Sequence, residues 1–337
     1  MMEQGVLRTG IVGIGSYVPE RVLTNADLEK MVETTGEWIV TRTGITERRI
    51  AADDEAASDF AIAASRAALA SANLEPKDID LVICATITGD MPFPSTASIV
   101  QDKLGIPNSP AFDLQAGCSG FIYSLSTADA FVRSGAYNRV LVIGVDLLSR
   151  ITDWTDRNTC VLFGDAAGAA IVAPVSDGSG LLSFYLGSEG SGAELLKQDA
   201  GGSRLPTSHE TVENRQHYIY MNGREVFKFA VRIMGDAAVE ALGRAGLKPE
   251  DVDVFVPHQA NIRIINAAAE RLGMPSEKVY VNVNKYGNTS AASIPLALAE
   301  AYRNGVIKRN NVVVAVGFGA GLTWGATVIK WGMDSPK

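Results

Sequence analysis

The sequence predicts an α/β fold built from two duplicated halves, with mixed, largely parallel sheets covered by helices. Three observations predict it. Helix-like runs alternate with short apolar, strand-like runs along the 337 residues, and the hydrophobic content of 47% is enough for a large buried core. Residues 68–85 overlay residues 241–258 at an offset of 173. Residues 117–135 overlay residues 287–305 at an offset of 170.

The first overlay pairs an Ala/Leu-rich helix, a turn that contains proline, and a strand of the buried type. The two segments read ALASANLEPKDIDLVICA and ALGRAGLKPEDVDVFVPH. Each copy therefore predicts the same unit, a helix that leads into a core strand. The identical pairs include Leu74 on Leu247, Pro76 on Pro249, Asp78 on Asp251 and Asp80 on Asp253.

The second overlay predicts a helix, then a core strand, then a glycine-rich returning strand in each half. GCSGFIYSLSTADAFVRSG leads into RVLVIGVD and FGDAAGAAIV, whereas GNTSAASIPLALAEAYRNG leads into NVVVAVGFG and FGAGLTWGATVI. We therefore predict halves at 1–174 and 175–337, with surface loops and short strands over the Gly- and Ser-rich residues 175–215. A pseudo-twofold axis between the halves would bring equivalent segments together.

Composition excludes several classes of function. The net charge of -8 is spread along the chain without a basic run, so we expect no nucleic-acid partner. The three cysteines share no CxxC spacing, which argues against a disulfide framework or a metal site, and Cys84 and Cys160 lie in apolar, strand-like segments typical of a core. No signal pattern or membrane span is visible, so we expect a cytoplasmic protein.

Cys118 lies between Gly117 and Ser119-Gly120, at the predicted start of a helix. A helix start lowers the pKa of a thiol, and small neighbours let a substrate approach the sulfur. A small core residue at a tight junction is the alternative. The second overlay places Cys118 on Asn288, which is also the type of residue that caps a helix.

His258 is one of three histidines and follows a buried strand, at the edge where parallel sheets meet ligands. Cys, His and Asn together serve two chemistries. In a cysteine hydrolase, the imidazole accepts the thiol proton and the amide orients the ring. In a decarboxylating condensation, both side chains donate hydrogen bonds to a thioester carbonyl. The residues alone do not choose between them.

Seven motifs then point to one family: GIGSYVPE, EWIVTRTGI, AGCSGF, FGDAAGAA, VPHQANIRII, GNTSAASIP and GFGAGLTWG. In this order and spacing, over nearly the whole chain, the sequence resembles the β-ketoacyl-acyl-carrier-protein synthase III family of thiolase-like condensing enzymes. The resemblance implies a five-layered αβαβα fold. It also implies that Cys118 accepts an acyl group from acyl-CoA, and that malonyl-acyl carrier protein then reacts with it after decarboxylation assisted by His258 and Asn288.

The resemblance implies further roles for several residues. The backbone N–H groups of Cys118 and Ala320 would form the oxyanion hole, with Ala320 standing where many relatives have glycine. The family functions as a homodimer, in which Phe93 of one subunit would close the acyl pocket of the other. No cofactor is implied. CoA would contact Trp38, Arg42, Arg157, Ala260 and Asn261, and the carrier protein would dock on Arg263, Lys228 and Arg271.

Four other functions are weighed against fatty acid initiation. A related enzyme that primes polyketide or other secondary-metabolite synthesis, or that transfers acyl groups elsewhere, would share the same three residues. A thiolase needs a second cysteine near the C-terminus, and no cysteine follows Cys160. A hydrolase would release free acid without consuming malonyl groups. A non-catalytic binding module would have no need of Cys118.

Overall fold

The computed structural model describes residues 8–335. Thirteen strands and eleven helices alternate along this part of the chain, as the sequence predicts. The strands are β1 (Arg8–Tyr17), β2 (Val22–Thr24), β3 (Glu47–Arg49), β4 (Leu81–Ala85), β5 (Ala111–Leu114), β6 (Val140–Leu147), β7 (Asp165–Val175), β8 (Gly180–Ser188), β9 (Leu196–Gln198), β10 (Ile219–Met221), β11 (Val254–Pro257), β12 (Val312–Gly319) and β13 (Thr323–Lys330).

Short 3-10 turns at Gly117–Ser119 and Ser290–Ala292 directly precede the two helices at the centre of the molecule. The helices are α1 (Asn25–Leu28), α2 (Gly36–Thr43), α3 (Ala57–Ala72), α4 (Thr96–Leu104), α5 (Gly120–Arg133), α6 (Arg157–Cys160), α7 (His209–Glu213), α8 (Gly223–Arg244), α9 (Ile262–Arg271), α10 (Val283–Tyr286) and α11 (Ser293–Arg303).

Two mixed sheets form the framework. The first has the strand order β1-β7-β6-β4-β5 and the second β11-β12-β13-β8. The pairs β4–β5, β4–β6 and β11–β12 are parallel, and the other four are antiparallel, so parallel pairing is less dominant than predicted. The physical reason is clearest at β12 and β13, because the three residues that join them are too few for a crossover connection.

The layers follow from where the helices pack. Helices α5 and α11 lie between the two sheets, α3 and α4 cover the outer face of the first sheet, and α8 and α9 cover that of the second. Phe121 and Leu125 of α5 share the central core with Ile294 and Leu298 of α11. The result is the five-layered αβαβα arrangement expected from the resemblance.

The first duplicated unit repeats in its hydrogen bonds as well as in its sequence. Asp80 accepts the N–H groups of Asn138 and Arg139 at 2.9 Å, and Asp253 accepts that of Val312 at 2.8 Å. In both halves, this carboxylate ties the strand after the proline turn to the start of the next core strand. The helix, turn and strand unit is therefore the structural repeat that the overlay predicts.

The segment that joins the halves is more regular than expected. Instead of short strands alone, residues 175–215 contain the nine-residue strand β8, which pairs with β13 along the second sheet. The proposed boundary at 174/175 crosses the end of β7, and the outer ends of both halves, 1–7 and 336–337, lie outside the described residues. No helix within residues 8–335 is long and apolar enough to span a bilayer.

Candidate active site

A cavity of about 760 Å³ lies where the two halves meet. Cys118, His258 and Asn288 all line it, although they are remote in sequence and belong to different elements. Much of its lining is apolar. The apolar side chains that line it include Ile87, Leu148, Ile151, Phe163, Ile219 and Phe318.

Cys118 is the central residue of the 3-10 turn that precedes α5, and its side chain is partly exposed in the cavity. Gly117 has φ 52°, a left-handed conformation that favours glycine. Ser119 holds the turn, since its hydroxyl lies 2.7 Å from both the Ala116 carbonyl and the Thr323 hydroxyl. The thiol is thus presented by a turn that is fixed to the second half of the molecule.

Burial changes the expected protonation state of this thiol. It raises the pKa of Cys118 to about 12, while an interaction with the Ser290 hydroxyl and a backbone hydrogen bond act in the opposite direction. The sequence led us to expect a lowered pKa at a helix start, but loss of solvent outweighs that effect. At neutral pH the free protein therefore holds a neutral thiol, which must lose its proton during the reaction.

His258 follows β11 and is 1% exposed. Its Nδ1 lies 2.5 Å from the hydroxyl oxygen of Ser293, which also accepts the N–H of Gln259 at 3.4 Å. We assign the tautomer in which the Ser293 hydroxyl donates to Nδ1 and the imidazole carries its own proton on Nε2, because this arrangement gives the hydroxyl hydrogen a partner while the oxygen accepts the Gln259 N–H. Burial lowers the pKa of His258 to about 3, so the ring is neutral.

The hydrogen bonds of Asn288 leave its side-chain nitrogen, Nδ2, available. Its backbone N–H donates to Leu162 at 2.8 Å, and its carbonyl accepts the N–H of Gly164 at 3.0 Å. The side-chain oxygen Oδ1 accepts the N–H of Ser290 at 2.9 Å. With Oδ1 occupied, the Nδ2 group is the part of the carboxamide left to donate into the cavity.

Two backbone N–H groups lie next to each other beside Cys118. A Cβ atom at Gly319 would lie 2.4 Å from the Cys118 nitrogen, and one at Gly117 would lie 2.9 Å from the Ala320 nitrogen. The two strand and turn segments therefore approach closely only because both positions are glycine. Ala320 is one of the residues that line the cavity.

The residues predicted to contact CoA form a connected group. The guanidinium carbons of Arg42 and Arg157 lie 5.8 and 5.0 Å from the centre of the Trp38 ring. Ala260 and Asn261 line the cavity, and Asn261 Nδ2 donates to the carbonyl of Arg42 at 3.0 Å. Asn261 therefore links the cavity to the surface where Trp38 and the two arginines lie, although those three residues do not line it.

The three basic residues predicted for carrier docking differ in their surroundings. Arg263 is exposed, and its guanidinium stacks 5.0 Å above the ring of Phe227, which lines the cavity. Lys228 pairs with Glu225 at 2.8 Å, and Arg271 pairs with Asp236 at 2.6 Å. These acidic partners neutralise part of the charge of Lys228 and Arg271.

Several relevant residues were not predicted from the sequence. Ser290 and Ser293 contact the site, but a run such as TSAAS does not reveal which hydroxyl faces a cavity. Arg224 and Arg232 are exposed on α8, one turn before and one turn after Lys228. Their spacing of four residues on either side of Lys228 puts all three cations on one helix face, a signal that the sequence does contain.

The remaining predicted residues lie away from the cavity. Phe93 is 83% exposed, the largest exposed fraction of any large hydrophobic side chain among residues 8–335. Cys84 and Cys160 are fully buried, which confirms them as core residues. Across the described part of the chain, no group of three or more His, Cys, Asp or Glu side chains is arranged to hold a metal ion.

Known proteins share both the sequence and this geometry. Residues 112–190 match the model of 3-oxoacyl-[acyl-carrier-protein] synthase III, and residues 242–331 match the model of its C-terminal part. A beta-ketoacyl-[acyl-carrier-protein] synthase III from Caldanaerobacter subterraneus subsp. tengcongensis is 59% identical over 325 residues, which are 96% of this chain and 98% of the relative.

Two solved structures superpose closely. The 3-oxoacyl-[acyl-carrier-protein] synthase III from Aquifex aeolicus VF5 has a TM-score of 0.90 and 51% identity over 96% of this chain and 100% of its own. The priming beta-ketosynthase of the R1128 polyketide pathway also has a TM-score of 0.90, with 38% identity over 98% of this chain and 97% of its own.

The fold and the Cys–His–Asn cavity define an acyltransferase of the condensing type, with a thiolase-like architecture. Identity above 50% over nearly the whole chain makes the assignment more specific. The chain belongs to the 3-oxoacyl-[acyl-carrier-protein] synthase III family.

Proposed function

We propose that this protein condenses an acyl-CoA primer with malonyl-acyl carrier protein to give 3-oxoacyl-acyl carrier protein, CoA and carbon dioxide, the reaction that initiates fatty acid biosynthesis. The observation that carries the proposal is that Cys118, His258 and Asn288 line one cavity between the two halves. Family membership supplies the reaction class, and the residues that line the cavity support the roles that we assign to them.

Cys118 forms the acyl-enzyme. Its sulfur attacks the thioester carbonyl of acyl-CoA, the bond from that carbonyl to the CoA sulfur breaks, and the thiol proton ends on the departing CoA. The backbone N–H groups of Cys118 and Ala320 hold the negative oxygen that develops on the carbonyl. Since these are backbone donors, the alanine at 320 does not remove either of them.

His258 and Asn288 promote decarboxylation. The Nε2–H of His258 and the Nδ2–H of Asn288 donate to the malonyl thioester oxygen, which becomes an enolate oxygen as carbon dioxide leaves. The protonation of His258 favours this chemistry over a cysteine hydrolase, because a hydrolase needs a free lone pair on Nε2 to accept the thiol proton.

The enolate carbon then attacks the acyl group on Cys118, and the sulfur leaves with the bonding electron pair. CoA leaves in the acylation step, carbon dioxide leaves in the decarboxylation step, and the thiolate of Cys118 leaves in the condensation step. All of them come from the substrates or from Cys118, so the reaction needs no cofactor. The apolar part of the cavity lining suits an acyl chain.

CoA binds at the surface beside Asn261. Trp38 offers a ring face for the adenine, and Arg42 and Arg157 offer charge-assisted contacts for its phosphates. Asn261 and Ala260 then mark the path from this surface into the cavity. The pantetheine arm of CoA is the part that would follow this path to reach Cys118.

The carrier protein docks at the cavity entrance beside Phe227. Arg263 is the main contact because it is exposed, close to the entrance and engaged with an aromatic ring instead of a carboxylate. Lys228 and Arg271 contribute less to docking, because each is paired with an acidic side chain of this protein. Charge attraction here speeds encounter with an acidic partner despite the net charge of -8.

The protein acts as a homodimer in which Phe93 enters the acyl pocket of the partner subunit. The supporting observation is an aromatic side chain that is 83% exposed on a single chain, next to Met91, which is 47% exposed. Two apolar side chains so close together on an exposed loop are unusual on a free surface. Burial by a second subunit would remove them from water.

Priming of polyketide synthesis is the second candidate function, and the similarity to the R1128 priming enzyme is the observation in its favour. Identities of 54–59% to several fatty acid relatives against 38% to that enzyme favour fatty acid initiation. The test supplies purified enzyme with a series of acyl-CoA primers and with carrier proteins from both types of pathway. Carbon dioxide and 3-oxoacyl product are measured.

The fatty acid assignment predicts efficient product formation with the fatty acid carrier protein. Preference for a polyketide carrier protein would favour the second candidate. Release of free acid without carbon dioxide would contradict condensation altogether.

A further inference from the structure

Ser290 is a strained and unpaired serine at the active site. It is 1% exposed, and its hydroxyl has no acceptor with good hydrogen-bond geometry among the described residues. Its backbone has φ 49°, a left-handed conformation that costs a serine energy. The N–H bond to Asn288 Oδ1 holds it in that conformation. Strain and an unpaired buried hydroxyl at one position indicate a functional constraint.

The Ser290 hydroxyl faces the nucleophile. Ser290 and Cys118 both line the cavity, and the turn at Gly117–Ser119 packs against the turn at Ser290–Ala292. On the other side lies Asp146 of β6, which is fully buried and accepts the N–H groups of Ile87 at 2.8 Å and Ala291 at 3.1 Å. Ser290 therefore lies between a buried carboxylate and the reactive sulfur.

We propose that the Ser290 hydroxyl donates a hydrogen bond to the sulfur of Cys118 whenever that sulfur carries negative charge. This inference rests on the proposed function, because it assumes that Cys118 is the nucleophile. The hydroxyl is close to both the sulfur and the Asp146 carboxylate, and no hydrogen bond of good geometry holds it to either one in the free protein, so it can rotate toward the sulfur. Ser290 is thus a further residue that contacts a reacting atom.

The sulfur carries negative charge twice in each cycle. In acylation, the S–H bond breaks, the new bond from sulfur to the acyl carbon forms, and the proton ends on CoA. In condensation, the bond from sulfur to the acyl carbon breaks, the sulfur keeps the electron pair, and it regains a proton from solvent. A donor fixed beside the sulfur lowers the barrier of both steps.

The charged groups around the sulfur agree with this role. Asp146, from β6, raises the pKa of Cys118, and burial raises it further, whereas Ser290 lowers it. His258, after β11, lines the same cavity, but burial keeps it neutral above pH 5. Lys197, from β9, also lines the cavity and is paired with Glu194 and Asp199. Ser290 is therefore the side-chain donor that opposes the effect of burial, in addition to a backbone hydrogen bond.

The test measures how fast iodoacetamide alkylates Cys118 in the full-length protein without substrate, between pH 6 and 9. Cys84 and Cys160 are fully buried, so the reaction reports Cys118. Cys118 should react about tenfold more slowly in Ser290→Ala and in Ser290→Gly than in the protein with the original sequence, at each pH. The reason is that both variants lose a hydrogen bond to a charged group. The same loss should lower the rate of acylation by acyl-CoA.

The two substitutions distinguish the effect of the lost hydroxyl from the effect of backbone strain. Both remove the hydroxyl, but only glycine relieves the strain of the left-handed conformation. Ser124→Ala is the matched control, since Ser124 on α5 is also a buried serine without a partner but does not line the cavity. It should react at the normal rate. The normal rate in both Ser290 variants, or in Ser290→Gly alone, would overturn the proposal.

One further measurement keeps this inference separate from the proposed function. The unmodified protein is incubated with acyl-CoA, and the acylated peptide is identified. If the acyl group is on Cys118 while both Ser290 variants alkylate normally, only the role of Ser290 is wrong. If the acyl group is absent from Cys118, the proposed function is wrong as well.

Discussion

The turns at Gly117–Ser119 and Gly287–Ala292 show how one repeated element supplies two different reactive groups. Each of these two segments begins at a glycine with positive φ, 52° at Gly117 and 65° at Gly287, and continues through a 3-10 turn into a central helix. The first presents the thiol of Cys118 and the second presents the carboxamide of Asn288. The duplicated fold therefore places Cys118 and Asn288 at equivalent positions, and the different residue type at each position gives it a different chemistry.

The two halves differ more at the end of the repeated core strand. The overlay places His258 on Ala85, which ends β4 and is fully buried. Under the proposed function, the second half thus carries both side-chain donors for the malonyl group, whereas the first carries the nucleophile. This difference predicts that substitution of Cys118 stops acylation, and that substitutions of His258 and Asn288 stop decarboxylation.

The largest effect is expected at Cys118. Cys118→Ala should reduce condensation by a factor on the order of a thousand or more, because no acyl-enzyme can form. The same variant should still release carbon dioxide from malonyl-acyl carrier protein, because His258 and Asn288 are unchanged. Product formation and carbon dioxide release are measured separately. Loss of both activities in a folded variant would break the division between the halves.

The opposite result is expected in the second half. His258→Ala and Asn288→Ala should each lower malonyl decarboxylation by about a hundredfold or more, since each removes one donor to the enolate oxygen. Acylation of Cys118 by acyl-CoA should continue. His209→Ala, which changes an exposed histidine of α7, is the control. Failure of His258→Ala to acylate would assign His258 the role of base.

Ser293 should have a smaller effect through the imidazole. Ser293→Ala removes the donor to Nδ1, so the ring can place its proton on either nitrogen, and decarboxylation should fall about tenfold. Ser293→Thr keeps the hydroxyl and should recover most of the rate. Nitrogen NMR of His258 should show the proton on Nε2 in the original protein and a mixture of Nδ1- and Nε2-protonated rings in Ser293→Ala. An unchanged proton position in Ser293→Ala would contradict the assigned hydrogen bond.

The smallest effect is expected at the docking surface, outside the repeated turns. Arg263→Glu should raise the KM for malonyl-acyl carrier protein several-fold and leave acylation by acyl-CoA unchanged, because the charge lies on the approach of the carrier protein alone. Arg66→Glu, on the outer helix α3, makes the same charge change elsewhere. Equal KM values in the two variants would remove Arg263 from the docking surface.

Sequence patterns predicted the features that repeat or that end an element. The overlays placed Cys118 opposite Asn288, and the strand VDVFVP placed His258 at the edge of a sheet. The length of β8 was underestimated, because its Gly- and Ser-rich flanks obscured a strand that is defined by pairing with β13. Pairing partners remote in sequence carry no local pattern.

The directions of hydroxyl groups, and ion pairs between different helices, also could not be predicted from the sequence. The partner of Lys228 is three residues away and could have been predicted, but Asp236 meets Arg271 from a different helix. Ser293 meets His258 only because α11 packs beside the end of β11. The cytoplasmic location, the homodimer and the absence of a nucleic-acid partner stay predictions.

The most direct test of the account is to locate the acyl group after the protein is mixed with acyl-CoA alone. The account predicts one acyl group per chain, on the peptide that contains Cys118, and its loss when malonyl-acyl carrier protein is added. Product formation without any acyl-enzyme, or an acyl group on Cys84 or Cys160, would contradict it.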